Sequence, residues 1–153
     1  MIKEGDKAVD FNMPIDEKSN ITLETYAGKN IVLYFYPKDD TPGCTKEAID
    51  FTAHLEEFTK NDTVIIGVSA DSIKQHKKFS EKHDLNVILA SDEDKKTCED
   101  YGVWVEKNMY GKKYMGINRA TFLIDKDRIV RKIWDKVSVP GHVEDVLENV
   151  EQL

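Results

Sequence analysis

Residues 31–51 read IVLYFYPKDDTPGCTKEAIDF, and this stretch decides the fold class. Its first six residues form an unbroken apolar run rich in β-branched and aromatic side chains. Such a run fits a strand covered on both faces, because a strand with one wet face would alternate. Pro37 has no N–H to give to a sheet and ends the strand. From Pro42 the pattern becomes helical: Ala48, Phe51, Leu55 and Phe58 recur every three or four residues, which predicts one helix from Pro42 to about Lys60. A buried strand feeding such a helix opens an α/β unit with a parallel sheet.

The rest of the chain repeats the alternation. Apolar runs at 63–69 and 87–90 predict strands, and periodic segments at 72–83 and 95–101 predict helices, the second stopped by Gly102. Runs at 120–125 and 128–134 read as a late hairpin, and a last helix begins near residue 141. The stretch NMYGKKYMGIN, 108–118, holds Gly111 and Gly116 at no phosphate-loop spacing and reads as a mobile loop, not a nucleotide site. Turns are short and no repeat or linker interrupts them, so residues 1–153 are expected to form a single α/β domain.

A chain of 153 residues can bury a core without staples. Its 22 basic and 29 acidic residues leave a net charge of -7, which argues against a nucleic-acid or anionic-membrane partner. The start, MIKEGDKAVDF, has no apolar signal segment, and no run approaches the roughly 18 apolar residues of a membrane span, so a cytoplasmic location is expected. His76 and His83 stand about 10.5 Å apart along one predicted helix, too far to share a metal, and are expected at the surface. His54 and His142 lack partners at ligand spacing, so neither a metal nor a cofactor is expected.

Cys44 and Cys98 are too few for a disulfide scaffold, and an isolated thiol in a reducing compartment is either filler or chemistry. At about 100° per residue, Cys44 falls within about 40° of the direction shared by Ala48, Phe51, Leu55 and Phe58, so its sulfur faces inward. One reading makes it a small buried hydrophobe. The other makes it a reactive thiolate, stabilised by the unpaired N–H groups and the positive dipole end of a helix N-terminus. Thr41-Pro42-Gly43 favours the second reading. Proline suits the first helical position, glycine lets a ligand approach the backbone, and threonine brings a hydroxyl.

Pro37, Thr41 and Cys44 stand in the spacing P-x-x-x-T-x-x-C, and YFYPKDDTPGCTKEA resembles the active site of peroxiredoxins, in their bacterioferritin comigratory protein, or peroxiredoxin Q, branch. The similarity runs nearly end to end. GDKAVDFNMP resembles the family's opening, SDEDKKTCEDYGVW its middle, and GINRATFLID the segment with its active-site arginine, here Arg119. The resemblance implies a thioredoxin-like fold with an N-terminal β-hairpin. It also implies a peroxidase that reduces hydrogen peroxide and organic hydroperoxides through a Cys44 thiolate and a sulfenic acid.

The chemistry of the residues agrees with that implication. A thiol in water is only about 3% ionised at pH 7, so the site must stabilise charge. Arg119, a permanent cation with a planar donor fork, would hold the thiolate and then the peroxide oxygen. Thr41 would orient the peroxide and also cap the helix. Pro37 would shield the thiol from water, and the N–H groups of Gly43 and Cys44 would add an anion cradle. Glu47, one turn on, either orients Arg119 or is an exposed charge. The resolving cysteine that many branch members carry five residues on is Ile49 here, and 72–83 has none. Only Cys98 remains, in a context that resembles a structural position. The expected cycle therefore uses one cysteine and an external thiol: thioredoxin, glutaredoxin with glutathione, or a small dithiol. A two-cysteine cycle through Cys98 and a non-enzymatic peroxide sensor or holdase stay open. A dithiol exchanger is excluded, because Cys44-Thr-Lys-Glu47 replaces the C-x-x-C pair. Branch relatives imply a monomer or weak dimer.

Overall fold

A computed structural model describes the whole chain, Met1–Leu153. Strands β1 (Met13–Pro14) and β2 (Asn20–Ile21) form a short antiparallel pair, the N-terminal hairpin implied by the resemblance, and one turn of 3-10 helix leads to β3 (Asn30–Phe35). There follow α1 (Pro42–Ala53), α2 (Leu55–Lys60), β4 (Thr63–Ser69), α3 (Ile73–His83), β5 (Ile88–Ser91) and α4 (Lys96–Asp100). The chain ends with β6 (Trp104–Met109), β7 (Lys112–Ile117), β8 (Ala120–Ile124), β9 (Val130–Trp134) and α5 (His142–Glu151). No helix is long and apolar enough to cross a membrane.

The central sheet has the order β5-β4-β3-β8-β9, with β3, β4 and β5 parallel and β8 and β9 antiparallel. Every residue of β3 is buried, as its unbroken apolar run requires. Alternation along the strand divides its side chains between two cores. Ile31, Leu33 and Phe35 enter a core completed by the N-terminal hairpin and α4, which contains Cys98. Val32 and Tyr34 enter the opposite core, where α1, α2, α3 and α5 pack and which contains Cys44. Each fully buried side chain of this size stabilises the fold by roughly 1.5–3 kcal/mol. One glycine is needed for this packing. Gly67 pairs with Tyr34 across β3 and β4, and a Cβ at that position would lie 2.6 Å from the tyrosine Cζ. Without it the Tyr34 ring lies flat in the core, stacked on Phe51 at 4.6 Å.

Three sequence expectations need correction. The single helix 42–60 is broken at His54, whose N–H is shared between the carbonyls of Asp50 and Phe51. Apolar spacing could not show this, because Phe51 and Phe58 stay on the core face across the break, ring centroids 5.9 Å apart. The supposed mobile loop is the β6–β7 hairpin, turned through Tyr110 and Gly111, both at positive φ. Such a two-residue turn matches the strand twist. The ribbon pairs only with itself and is largely exposed on both faces, so no alternation marks it. Finally, His76 is 3% exposed rather than at the surface, because it shares the inward face of α3 with Phe79.

Candidate active site

Thr41 is the N-cap of α1 and Pro42 its first residue. The helical ladder begins when the N–H of Thr45 donates to the Thr41 carbonyl at 2.8 Å. The N–H groups of Gly43 and Cys44 find no acceptor within the chain. Those open donors and the dipole of a twelve-residue helix favour an anion at this end. The Thr41 hydroxyl does not cap the helix, contrary to expectation. It donates to the Lys38 carbonyl at 2.8 Å and accepts from none of the helix's own N–H groups. Its oxygen therefore remains an acceptor for a ligand's proton.

Arg119, between β7 and β8, meets the thiol across the fold. Its Nη2 donates to Cys44 Sγ at 3.3 Å and its Nη1 to Glu47 Oε1 at 2.7 Å. Gly43 permits this close seat, since a Cβ there would stand 3.1 Å from Nη2. Burial works against the guanidinium charge, but Glu47 and Cys44 together raise its proton affinity above the ordinary value. Cys44 is 1% exposed. Pro37, just beyond β3, is itself exposed.

Glu47 is fully buried, so of its two sequence readings the one that orients Arg119 matches the geometry. Its Oε2 has no hydrogen-bond partner and lies 4.0 Å from His142 Nε2, which shares a 2.8 Å hydrogen bond with Thr121 Oγ1. Burial pushes the Glu47 carboxyl up to about 7, against the pull of Arg119, and pushes His142 down to about 4. Lys107 of β6 is half-buried, and burial together with Arg119 lowers its pKa, so the hairpin brings a second cation towards the site. Sequence reasoning missed Thr121, His142 and Lys107. No local spacing links them to Cys44, since only the central sheet, the β6–β7 ribbon and the start of α5 bring them near.

The Glu47 shift has a definite sign. A carboxyl whose pKa rises from 4.5 to about 7 on folding binds its proton more tightly in the folded chain. Its contribution, on the order of 3 kcal/mol, is complete below pH 4.5 and is lost as the pH rises through about 7. His142 acts oppositely, contributing above pH 6.5 and losing that contribution as the pH falls towards about 4. Glu47→Gln keeps an acceptor for Arg119 but removes the titration. Urea unfolding should find the variant close to wild type at pH 5, where Glu47 is protonated and as neutral as glutamine, and more stable than wild type by pH 8, where the wild type buries an ionised carboxylate. A gap that stays constant over this range would contradict the assignment.

Cys98 lies in the other core, 0% exposed, and its backbone N–H donates to Asp92 Oδ2 at 2.8 Å. Burial and then Asp92 push its thiol far up. The fold thus gathers Cys44, Gly43, Thr41, Glu47 and Arg119 at one helix end and leaves Cys98 outside the group.

Known proteins share this arrangement of elements. The AhpC/TSA family pattern matches residues 4–133. A peroxiredoxin Bcp of Bacillus subtilis is 49% identical over 152 residues, 99% of this chain and 97% of its own. That of Escherichia coli is 38% identical over 146 residues, 95% of this chain and 94% of its own. The solved Xylella fastidiosa PrxQ superposes with a TM-score of 0.94 at 35% identity, covering 99% of this chain and 97% of its own. The Xanthomonas campestris bacterioferritin comigratory protein does so at 0.88 and 44% identity, covering 93% and 90%. With its thioredoxin-like fold and matches of this extent, the chain belongs to the AhpC/TSA family, as a peroxiredoxin of the Bcp, or peroxiredoxin Q, branch.

Proposed function

We propose that this peroxiredoxin reduces hydrogen peroxide and organic hydroperoxides by a one-cysteine cycle at Cys44. The observation that carries the reading is Arg119, which touches Sγ with one nitrogen while Glu47 holds the other. The thiolate attacks the terminal peroxide oxygen, the O–O bond breaks, and Cys44 becomes a sulfenic acid. The departing oxygen takes up a proton and leaves as water or an alcohol. As negative charge moves from sulfur to that oxygen, the guanidinium and the N–H groups of Gly43 and Cys44 follow it without rearranging. Thr41 Oγ1 accepts a hydrogen bond from the peroxide O–H, and Pro37 limits access to the sulfur. The Xanthomonas relative's structures concern alkyl peroxide reduction, and the same substrate class is proposed here.

An external thiol then condenses with the sulfenic acid, releasing water and leaving a mixed disulfide. A second thiol reduces that disulfide and returns the Cys44 thiolate. Thioredoxin, glutaredoxin with glutathione, and a small dithiol all have this chemistry, and two free thiols suit a reducing cytoplasm. A monomer or weak dimer suffices, since every proposed site residue comes from one chain. Cys98 is unsuited to resolve, because the sheet separates it from Cys44.

One equivalent of peroxide is expected to leave Cys44 trappable by dimedone and Cys98 alkylatable after denaturation. A loss of two mass units with both thiols blocked would replace this cycle by one through Cys98. Continuous peroxide consumption with added thiol separates an enzyme from a sensor, which would react once and stop.

A further inference from the structure

The loop Lys38–Thr41, between β3 and α1, determines where the Thr41 hydroxyl and the open N–H groups of α1 stand. The loop does not hold this shape alone. Asp40 has a φ of 59°, which is uncommon outside glycine and has to be imposed by the surroundings. The main constraint is Asp39. Its N–H donates to Asp71 Oδ2 at 2.8 Å, and its Oδ1 accepts from the Tyr36 hydroxyl at 2.6 Å. Its Oδ2 lies 2.6 Å from His76 Nδ1, and His76 Nε2 lies 3.0 Å from the Ala90 carbonyl of β5. The imidazole side chain is 4% exposed and the carboxylate side chain 6%. Both ring nitrogens are engaged, one by the loop and the other by β5.

Asp39, Asp71 and His76 bring three metal-ligand atoms within 4.8 Å of one another. Those atoms are already engaged with one another, with the Asp39 N–H and with the Ser69 hydroxyl, which makes the group a closed clamp instead of an open ligand set. On the outer side, Asp40 reaches Lys82 at 2.7 Å and His83 at 2.8 Å. Helix α3 therefore grips the loop at an inner and an outer point.

We propose that His76 is a positioning residue for the peroxide step, acting through Asp39 to hold the Lys38–Thr41 loop in the form that aims the Thr41 hydroxyl and the α1 N–H groups at the peroxide. This rests on the peroxidase reading of Cys44. Without the imidazole, Asp39 Oδ2 is left buried with no hydrogen-bond partner on α3, and the side chain moves towards water, taking the loop with it. The two half-reactions then respond differently. The peroxide step depends on the loop's fixed geometry, and a displacement near 1 Å can cost about a hundredfold. The thiol step does not depend on it, because Cys44 is 1% exposed and a bulky thiol reaches the sulfur only after local opening.

His76→Leu and His76→Asn have nearly the same shape, but only asparagine places an N–H where Nδ1 stands. Stopped-flow mixing of the reduced protein with hydrogen peroxide should show a second-order rate at least about tenfold lower in His76→Leu and within about threefold of wild type in His76→Asn. Dithiothreitol should reduce the oxidised His76→Leu protein as fast as wild type or faster. The proposal fails if the leucine variant matches wild type, if both variants lose equally, or if both half-reactions fall together. If His76→Leu does not fold, Asp39→Ala, which removes the acceptor that His76 holds, should show the same split, and its absence overturns the proposal. A wild-type protein that consumes no peroxide would instead overturn the reading of Cys44.

Discussion

Cys44→Ser should abolish peroxide turnover, by more than about a thousandfold, and leave the fold standing. The reason is chemical rather than steric. A serine hydroxyl stays protonated at neutral pH, and its oxygen is a far weaker nucleophile toward peroxide than a cysteine sulfur. The site is otherwise preserved: Arg119 still has Glu47 at 2.7 Å, and α1 still packs through Ala48 and Phe51. Far-UV circular dichroism and a urea midpoint close to wild type, measured beside peroxide consumption, check both halves of the expectation. Turnover within about tenfold of wild type would refute Cys44 as the nucleophile. Cys98→Ser provides the contrast, since that thiol is buried in the other core and its loss should spare activity while costing some stability.

The second large effect belongs to Arg119, whose two contacts serve different ends. Removing a preorganised donor to the reacting centre costs about a hundred- to a thousandfold in rate, so Arg119→Ala should lower the peroxide rate by that amount. It also leaves the Glu47 carboxylate buried without its cation, at a cost on the order of 3 kcal/mol above neutral pH. Because Arg119 pulls the Glu47 carboxyl down, its loss lets that group hold a proton to still higher pH. The stability deficit should therefore be small at pH 5.5 and grow towards pH 8. The double variant Arg119→Ala/Glu47→Gln separates the two roles. Stability at pH 8 should recover and the peroxide rate should not. Recovery of both, or of neither, would mean that the contacts to Glu47 and Cys44 are not independent in the way the geometry implies.

Much of this was legible along the chain because it depends on neighbours in sequence. An apolar run without alternation marks a strand buried on both faces, and β3 is one. A proline and a glycine before an inward-facing cysteine mark a helix N-terminus with open donors, and α1 supplies it. The short interval from Pro37 to Cys44 shows that several site residues are close, because so few bonds separate them. Arg119 was reached only by resemblance, and nothing in its own surroundings distinguishes it from a solvated charge.

What only the tertiary structure decided are the long-range partners and the side of the sheet on which each group lies. A burial period does not reveal a break that keeps its phase, so the kink at His54 was invisible. A self-paired, exposed ribbon carries no apolar alternation, so β6–β7 read as a loop. His76 looked like a surface histidine because its acceptors, Asp39 and the Ala90 carbonyl, come from distant segments. Glu47 could have been exposed or buried, and the arrival of Arg119 over Gly43 decides it. The separation of the two thiols has the same origin. Parity along β3 divides the cores, but only the crossover after β3 puts α1 on one side and the path of the chain after β5 puts α4 on the other, leaving Cys44 at a charged helix end and Cys98 in apolar packing.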